Sequence, residues 1–385
     1  MPKARDPRTI AAANGVGSDT AFGAVTPPLH LSTTYLFEGF EREGRYAYSR
    51  TANPTRDQLA DTLAKLEGGA GAVVTSSGMA AVDLVLAQVE PGRLVVAPHD
   101  CYGGTYRLLA ARAERRQFEI AFVDQSDPAA VVQALGRGPA LLLIETPSNP
   151  LMRVVDIRAL SGLAKAAGAK VAVDNTFLSP ALQQPISLGA DYVIHSTTKY
   201  LNGHSDVVGG AVIAADPADV EALAAWANMT GVTGAPFDAY MILRGVRTLF
   251  PRIERQQQNA AAVAAFLDAH PAVRVVHYPG LASHPGHKIA RAQQSGFGAM
   301  LSFDLAGGAG AVRKVVEAVQ VFSLAESLGG VESLVAHPAT MTHVGMSLEA
   351  RAIAGIGDGL LRLSVGLESE ADLLADLDQA LETLA

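Results

Sequence analysis

A lysine that follows three hydroxyl residues is the first feature of the sequence that could do chemistry. Lys199 comes after Ser196, Thr197 and Thr198, and this run follows the apolar segment 190–194, which is typical of a buried strand. An amine at a strand end can attack a carbonyl in a pocket, and the neighbouring hydroxyl groups can hold a phosphate. Pyridoxal 5'-phosphate (PLP) requires both a Schiff-base lysine and an anion site. Taken alone, however, the segment is more typical of a solvated lysine in a polar loop.

Several other predicted strands also end in residues with chemical uses. Between about residues 57 and 245 the pattern alternates strands with helices, which predicts a mostly parallel sheet with helices on both faces. Ligands of such sheets bind at the carboxyl ends of the strands. The residues expected at that edge are Gly78, Tyr102, Asn149, Asp174, Ser196, Thr198 and Lys199. A set of this size strongly favours a ligand pocket over a solvated lysine.

Two of these positions suit particular parts of a ligand. Asp174 ends the apolar segment 171–174, where an unpaired carboxylate is costly and a cationic ring nitrogen would be a suitable partner. Gly78 and Met79 open a helix after the strand 72–75, so free N–H groups and the helix dipole are available to an anion. The segment lacks the lysine of a P-loop and the spaced glycines of a dinucleotide-binding motif.

Tyrosine and arginine residues elsewhere suggest further contacts with a ligand. Tyr102 could stack on a flat ring, although a lone tyrosine is more often a packing residue. Arg362 lies within the apolar segment 360–365, where its guanidinium needs either a substrate carboxylate or an internal salt bridge. Tyr48 and Arg50 could hold a phosphate by charge-assisted hydrogen bonds, or they belong to a polar linker.

Composition limits the other classes of protein. The chain has 385 residues, which predicts two domains, and its net charge of −8 without a basic run longer than two residues gives no indication of nucleic-acid binding. The single cysteine, Cys101, excludes an intrachain disulfide and fits a reducing compartment. The sequence shows no secretory apolar core and no run long enough to span a bilayer, so we expect a soluble cytoplasmic protein.

A metal site is not expected. His277, His284 and His287 lie close together in a loop rich in proline and glycine, without an acidic or cysteine partner nearby. We interpret them as surface histidines.

Over nearly its whole length, the chain resembles the Cys/Met-metabolism family of PLP enzymes. The resemblance depends on segments 48–50, 53–56, 77–80, 174–177, 196–200 and 325–330. It implies the aspartate-aminotransferase-like fold (PLP fold type I), an α/β fold with a mostly parallel central sheet and a smaller C-terminal α/β domain. Residues 1–50 would form an arm that contacts a neighbouring subunit, residues 51–250 the PLP-binding large domain and residues 251–385 the small domain. Family members form homotetramers, which are dimers of dimers with shared active sites.

The resemblance also assigns roles to residues by motif. Lys199 would be the Schiff-base lysine that later moves protons, Asp174 would hold the pyridinium nitrogen, and Tyr102 would stack on the ring and assist catalysis. The phosphate would be bound by Ser196, Thr198 and the backbone of Gly78 and Met79, together with Tyr48 and Arg50 of the neighbouring subunit. The substrate α-carboxylate would be bound by Arg362, Ser327 and Asn149, and its distal part by Glu326 and Arg107.

The segments 97–104 and 226–234 are most similar to family members that catalyse γ-replacement. The implied reaction joins O-succinyl- or O-acetyl-L-homoserine to L-cysteine and forms L-cystathionine. Synthases with a strong preference for the succinyl substrate carry Asp and Arg where this chain has Ala47 and Thr51, which weakens the case for succinyl over acetyl. A cystathionine γ-lyase or β-lyase of the same family is the first alternative, and a non-catalytic α/β ligand-binding protein is the second.

Overall fold

The computed structural model describes residues 5–384, which form two β-sheets with helices packed against them. The strands of the large sheet are β1 (Gly71–Thr75), β2 (Leu94–Pro98), β3 (Glu119–Val123), β4 (Leu141–Glu145), β5 (Lys170–Asp174), β6 (Tyr192–His195) and β7 (Gly210–Ala214). The strands of the small sheet are β8 (Val273–His277), β9 (Met300–Leu305), β10 (Ser323–Leu324), β11 (Leu334–Ala336) and β12 (Leu360–Ser364).

The helices fall largely between these strands in the chain. They are α1 (Pro7–Ala13), α2 (Pro54–Glu67), α3 (Gly78–Leu86), α4 (Gly103–Glu114), α5 (Pro128–Leu135), α6 (Ile157–Ala166), α7 (Ser179–Leu182), α8 (Pro217–Thr230), α9 (Pro236–Val246), α10 (Leu249–Asp268), α11 (His287–Gln293), α12 (Gly308–Ala318), α13 (Leu348–Ala354) and α14 (Glu370–Glu382). A short 3-10 helix spans Pro185–Leu188.

The large sheet has the order β1-β7-β6-β5-β4-β2-β3. Strands β2 to β6 pair in parallel, whereas β7 runs antiparallel to both of its neighbours, β1 and β6. Strands β2, β4 and β7 are buried along their whole length, as expected where helices cover both faces of a sheet. The predicted α/β fold with a mostly parallel central sheet and a smaller second sheet is confirmed.

Local sequence explains where the helices that frame the site begin and end. The Asn53 side chain accepts hydrogen bonds from two N–H groups of the first turn of α2, and Pro54 occupies the position where a missing N–H costs nothing. Gly68 ends the same helix with φ +74°, which a residue without Cβ adopts easily. The Ser77 hydroxyl accepts the Ala80 N–H at the start of α3. These caps fix the direction of the chain next to the large sheet.

Helix α10 links the two sheets. Its buried face contributes Ile253, Ala260, Val263 and Leu267 to a hydrophobic core that also contains Phe303 of the small sheet. We propose that the domains divide near residue 250, where this helix starts, and that the arm ends near residue 50. Residues 1–4 and 385, which the predicted arm and small domain include, lie outside the described residues.

The arm packs on its own body only in part. Helix α1 lies against α2, and the Asn14 amide donates hydrogen bonds to Asp61 and Thr62. Further along, Phe22, Leu36 and Phe40 are 95%, 94% and 92% exposed, respectively. Isolated exposed apolar side chains are common on protein surfaces, but several of them in one segment are typical of a contact surface. Within the part of the chain that the structure describes, no helix combines the length and apolar character needed to cross a membrane.

Candidate active site

The carboxyl ends of the parallel strands open into a cavity of about 480 Å³. Of the residues predicted for the site, those that line this cavity are Gly78, Met79, Tyr102, Arg107, Asn149, Asp174, Ser196, Thr198, Lys199, Glu326, Ser327 and Arg362. The loops after β1, β2, β4, β5 and β6 supply most of them, and the small sheet contributes Glu326, Ser327 and Arg362. One pocket therefore brings together groups from both sheets.

Tyr48 and Arg50 lie outside this pocket. The Arg50 guanidinium donates a hydrogen bond of 2.6 Å to the Asn228 backbone oxygen, and it lies 5.6 Å from the centre of the Tyr48 ring. Both residues belong to the exposed arm rather than to the lining of their own chain's cavity. Their contribution to a phosphate site therefore requires a second chain, as the resemblance implies.

Lys199 occupies the centre of the pocket. Its Nζ donates a hydrogen bond of 2.7 Å to the Ser327 hydroxyl, which links the large sheet to the loop after β10. Burial and, to a lesser degree, the positive charge of Arg362 lower the pKa of Lys199 from 10.5 to about 8, while Glu326 opposes the shift. An amine with such a pKa is partly unprotonated near neutral pH, so it can act as a nucleophile and as a proton carrier.

This pKa gives a direct prediction for the protein without cofactor. In competitive labelling with trace acetic anhydride, Lys199 should reach half of its maximal reactivity near pH 8, well below the midpoint of free N-acetyl-lysine. Burial is the cause, and Glu326→Gln should lower the midpoint further because the carboxylate that favours the ammonium form is gone. Peptide mass spectrometry measures both midpoints. A wild-type midpoint at the ordinary lysine value would contradict the buried environment.

Asp174 faces the pocket from the end of β5. Its carboxylate accepts the Thr176 N–H at 3.0 Å, and the Thr176 hydroxyl in turn accepts the Ser196 N–H at 2.9 Å. Burial raises the pKa of Asp174, although the hydrogen bonds from Thr176 oppose this. A cation placed against this carboxylate would keep it ionised.

A second buried carboxylate, Glu145, lies beside Asp174. The two residues pair in register at the ends of β4 and β5, so both side chains point to the same face of the sheet. Burial raises the pKa of Glu145 well above its ordinary value, and the neighbouring charge of Asp174 raises it more. Glu145 was not among the predicted site residues, although it ends an apolar strand in the same way as Asp174.

The start of α3 forms an anion cradle with Ser196. The first N–H groups of a helix have no intrahelical acceptor, which leaves those of Gly78 and Met79 available. A Cβ at Gly78 would lie only 2.6 Å from the Ser196 Cβ and 2.9 Å from its hydroxyl oxygen, so only glycine allows this close approach. The Thr198 hydroxyl exchanges hydrogen bonds with backbone atoms of Gly209, at 3.0 and 3.2 Å, at the edge of the same cradle.

Arg362 is a second candidate anion site in the same pocket. Its guanidinium donates to the Asn149 side-chain oxygen at 3.1 Å and to the Ser327 backbone oxygen at 2.8 Å. The internal salt bridge considered above is not present, because the ion pairs formed by residues 5–384 do not include Arg362. Its buried Nε has no hydrogen-bond partner. This donor set is arranged to receive a carboxylate from a ligand.

The segment 341–344 also lines the pocket and was not identified from the sequence. Met341, Thr342 and Val344 contact the cavity, and the buried His343 between them makes a hydrogen bond of 3.1 Å to the Asn149 backbone oxygen. Burial lowers the pKa of His343 to about 4, so this imidazole is neutral and donates from Nε2. The segment lies in a loop without periodicity, and no sequence signal placed it near the strand ends.

The prediction that His277, His284 and His287 are surface histidines is wrong for one of them. His284 is buried rather than at the surface, and burial lowers its pKa to about 4. Among residues 5–384, no group of three or more His, Cys, Asp or Glu side chains is placed to hold a metal ion.

Comparison with known proteins identifies the family. Residues 8–382 match the model of the Cys/Met metabolism PLP-dependent enzyme family. The chain belongs to this family. It is 55% identical to cystathionine gamma-synthase of Escherichia coli (strain K12) over 375 residues, which cover 97% of each chain. It is also 44% identical to cystathionine gamma-lyase of Bacillus subtilis (strain 168), over 98% of this chain and 99% of the relative.

Solved structures give the same result for this PLP-dependent family member. A crystal structure of cystathionine gamma synthase from Xanthomonas oryzae pv. oryzae in complex with cystathionine has a TM-score of 0.97 and 56% identity, and the match covers 98% of each chain. A crystal structure of cystathionine gamma lyase from Micromonospora echinospora has a TM-score of 0.94 and 43% identity, over 98% of this chain and 99% of that chain.

The pocket fits the family's cofactor. The ion pairs formed by the described residues include neither Asp174 nor Glu145, so a protonated pyridine nitrogen would supply the cation that these buried carboxylates lack. The glycine-dependent cradle at α3 offers N–H and hydroxyl donors of the kind that bind phosphate. Lys199 supplies a poorly solvated amine for the aldehyde. The pyridine nitrogen, the phosphate and the aldehyde of PLP therefore have matching residues in one pocket.

Proposed function

We propose that this chain catalyses a γ-replacement in which an O-acyl-L-homoserine and L-cysteine form L-cystathionine and a free carboxylate. The strongest support is its similarity, across 98% of both chains, to a synthase whose structure contains cystathionine. Among the relatives compared, those named as cystathionine gamma-synthases are 46–56% identical to this chain, and those named as cystathionine lyases are 38–45% identical.

The pocket explains how such a substrate is held. Arg362 binds the α-carboxylate with Asn149 and Ser327, because its buried guanidinium lacks a carboxylate partner and already contacts both residues. Glu326 and Arg107 lie at the exposed side of the cavity, where they would contact the distal part of the substrate or the incoming amino acid. The two ends of the substrate are thus bound by different groups.

Lys199 is the proton carrier of this proposal. When bound, PLP supplies an electron sink that stabilises negative charge at the substrate Cα. Lys199 Nζ, with its pKa near 8, takes the Cα proton and later returns a proton to the substrate. The hydrogen bond from Nζ to Ser327 keeps the amine close to the site of the α-carboxylate. Tyr102 would stack on the PLP ring, and Gly104 leaves room for the tyrosine, because a Cβ there would lie 2.5 Å from the Tyr102 ring.

In the overall replacement, the carboxylate leaves with the electron pair of the Cγ–O bond. The cysteine sulfur forms the new bond to Cγ, and the thiol proton is released. Neither an oxidant nor a reductant is required, so the reaction balances with the two substrates alone.

A paired assay tests the proposal. The PLP-loaded protein is given O-succinyl- or O-acetyl-L-homoserine with L-cysteine in one vessel and L-cystathionine alone in another. We expect cystathionine formation to exceed the release of 2-oxobutyrate or pyruvate from cystathionine by at least tenfold. Faster release of the oxoacid would establish a γ- or β-lyase instead. Comparison of the two acyl donors shows whether Ala47 and Thr51, in place of Asp and Arg, remove the preference for succinate.

We further propose a homotetramer in which the arm of one chain reaches the pocket of another. The exposed Phe22, Leu36 and Phe40, and the position of Tyr48 and Arg50 outside their own pocket, support this assembly. Each of these phenylalanine and leucine side chains would contribute about 1.5–3 kcal/mol when buried.

The buried, unpaired Cys101 fits the reducing conditions of the cytoplasm, which we propose as the location.

Substitution of the arm tests the assembly. The triple variant Phe22→Ser, Leu36→Ser and Phe40→Ser should shift the mass in solution from four 40.0-kDa chains toward smaller species. PLP affinity should fall with it, since Tyr48 and Arg50 no longer reach the neighbouring phosphate site. Val132→Ser, on the exposed face of α5, is the control that should leave both unchanged. Native mass spectrometry distinguishes the species, and a wild-type monomer with full PLP affinity would contradict the shared site.

A further inference from the structure

Glu145 makes contacts that its position at the end of β4 alone does not require. Its Oε2 accepts the Tyr102 N–H at 2.9 Å, and its Oε1 accepts the Asn149 N–H at 3.0 Å. Tyr102 and Asn149 lie on loops that follow different strands, β2 and β4. One buried carboxylate therefore joins the loop that carries the ring-stacking residue to the loop that carries a residue of the carboxylate site.

We propose that Glu145 is a positioning residue that sets the distance between Tyr102 and Asn149, and thereby between the ring of the cofactor and the α-carboxylate of the substrate. This inference rests on the function proposed above, because that function assigns Tyr102 to the cofactor ring and Asn149 to the substrate α-carboxylate. A displacement of about 1 Å between such groups is enough to lower the rate of an enzyme strongly.

The loops after β2 and β4 are also joined by Asp100, whose carboxylate accepts a hydrogen bond of 2.7 Å from the Ser148 hydroxyl, but Glu145 is the residue whose hydrogen bonds join Tyr102 directly to Asn149. Asn149 is otherwise held by His343 at its backbone oxygen and by Arg362 at its side-chain oxygen, and both of these contacts lead toward the small sheet or the loop before α13. Tyr102 begins α4 without a side-chain cap, so its N–H depends on Glu145. Gly104 leaves room for the Tyr102 ring beside α4.

A carboxylate is the side chain that this arrangement requires. Both of its oxygens accept, so it can satisfy two N–H groups that approach from different loops. Glutamine has the same shape but only one acceptor oxygen, and its amide N–H groups would face the second backbone N–H. Aspartate keeps both acceptors but is shorter by one methylene, so it cannot reach both loops without moving them.

The variants Glu145→Gln and Glu145→Asp test the inference. We expect E145Q to lower kcat/KM for the acyl-homoserine by about 10- to 100-fold, as is typical when a supporting residue of a site is lost. The KM should rise and the visible circular dichroism of bound PLP should change, because the ring and the carboxylate site are both displaced. E145D should show a smaller loss of the same kind, which is partial rescue by the variant that keeps both acceptors.

Asp376→Asn is the matched control. Asp376 is also a buried carboxylate, and it accepts N–H groups from Gln320, Val321 and Phe322, none of which lines the pocket. D376N should lower the melting temperature while leaving KM and the dichroism of PLP unchanged. If E145Q behaves like D376N, Glu145 is only structural and the inference is wrong. If E145Q does not fold, E145D decides: unchanged KM and dichroism would overturn the inference.

The dichroism of bound PLP and the PLP dissociation constant are measured without turnover. They therefore test the positioning role of Glu145 separately from the proposed synthesis of cystathionine. A wild-type protein that forms no cystathionine would contradict the proposed function, whereas a changed PLP signal in E145Q would still support the positioning of Tyr102. Unchanged PLP signals together with normal cystathionine synthesis in E145Q would contradict the positioning role alone.

Discussion

Replacement of Lys199 by alanine should lower turnover by about 10⁴-fold or more, since the same side chain serves as nucleophile and as proton carrier. No other amine is placed to take over, because among the described residues that line the pocket Lys199 is the only lysine. The variant should still fold. The Nζ hydrogen bond to Ser327 is lost, but the Ser327 hydroxyl faces the cavity and can bond to water instead.

The stability of the cofactor-free variant gives a second readout. The pKa of Lys199 is about 8 in the folded chain and 10.5 for an ordinary lysine, so the folded state binds the proton less well than the unfolded state. The lowered pKa therefore reduces the free energy of unfolding by up to ~3 kcal/mol at pH 7, and this reduction disappears as the pH rises from 8 toward 10.5. Lys199→Ala removes the charge, so the variant should be at least as stable as the wild type at pH 7 and should lack this rise in stability between pH 8 and 10.5.

Both the loss of turnover and the changed stability of K199A can be measured directly. Cystathionine formation gives the loss of turnover, and borohydride should link PLP covalently to the wild-type chain but not to the variant. Thermal unfolding of the cofactor-free proteins between pH 7 and 10 gives the stability. Lys165→Ala is the control, since Lys165 is half exposed on α6 and pairs only loosely with Asp191 at 3.8 Å. Near wild-type activity of K199A would contradict the mechanism.

The sequence was sufficient to predict the strand-end residues because their placement follows from a general property of parallel sheets. Each of Gly78, Asp174 and Lys199 follows its own apolar run, so each could be recognised locally, and the parallel arrangement brings the ends of the runs to one edge. The resemblance to a family added Glu326 and Ser327, in the loop after β10. For these, no local pattern indicates which loop faces the large sheet.

The contacts that could not be predicted are those that depend on register and on loop paths. Glu145 reaches the N–H of Tyr102, 43 residues earlier in the chain, because β2 and β4 are neighbours although β3 lies between them in the sequence. His343 and the segment 341–344 reach Asn149 across a loop without periodicity. The proposed contribution of Tyr48 and Arg50 to a neighbouring pocket involves a second chain, which no pattern within one sequence describes.

Substitution of Arg362 should produce the largest loss in substrate binding. Arg362→Ala should reduce kcat/KM by about 10²–10⁴-fold, because a buried carboxylate that loses its charged partner costs about 2–5 kcal/mol or more. Arg362→Lys should recover only part of this loss, since an ammonium cannot make the paired hydrogen bonds of a guanidinium. The loss should appear mainly in KM, and PLP affinity should change little because Arg362 does not lie in the phosphate cradle.

An analogue that lacks the α-carboxylate separates binding of this group from general damage to the pocket. The wild type should strongly prefer the acyl-homoserine over O-acyl-3-aminopropanol, which lacks the α-carboxylate. R362A should lose most of this preference, because the variant no longer has the guanidinium that binds this carboxylate. Arg252→Lys is the matched control, since Arg252 is a buried arginine that donates to the backbone oxygens of Tyr200 and Gly245 at 2.9 and 2.8 Å. It should lower stability but keep the preference. If R362A retains the wild-type preference, the carboxylate binds elsewhere and the unpartnered Nε of Arg362 needs another explanation.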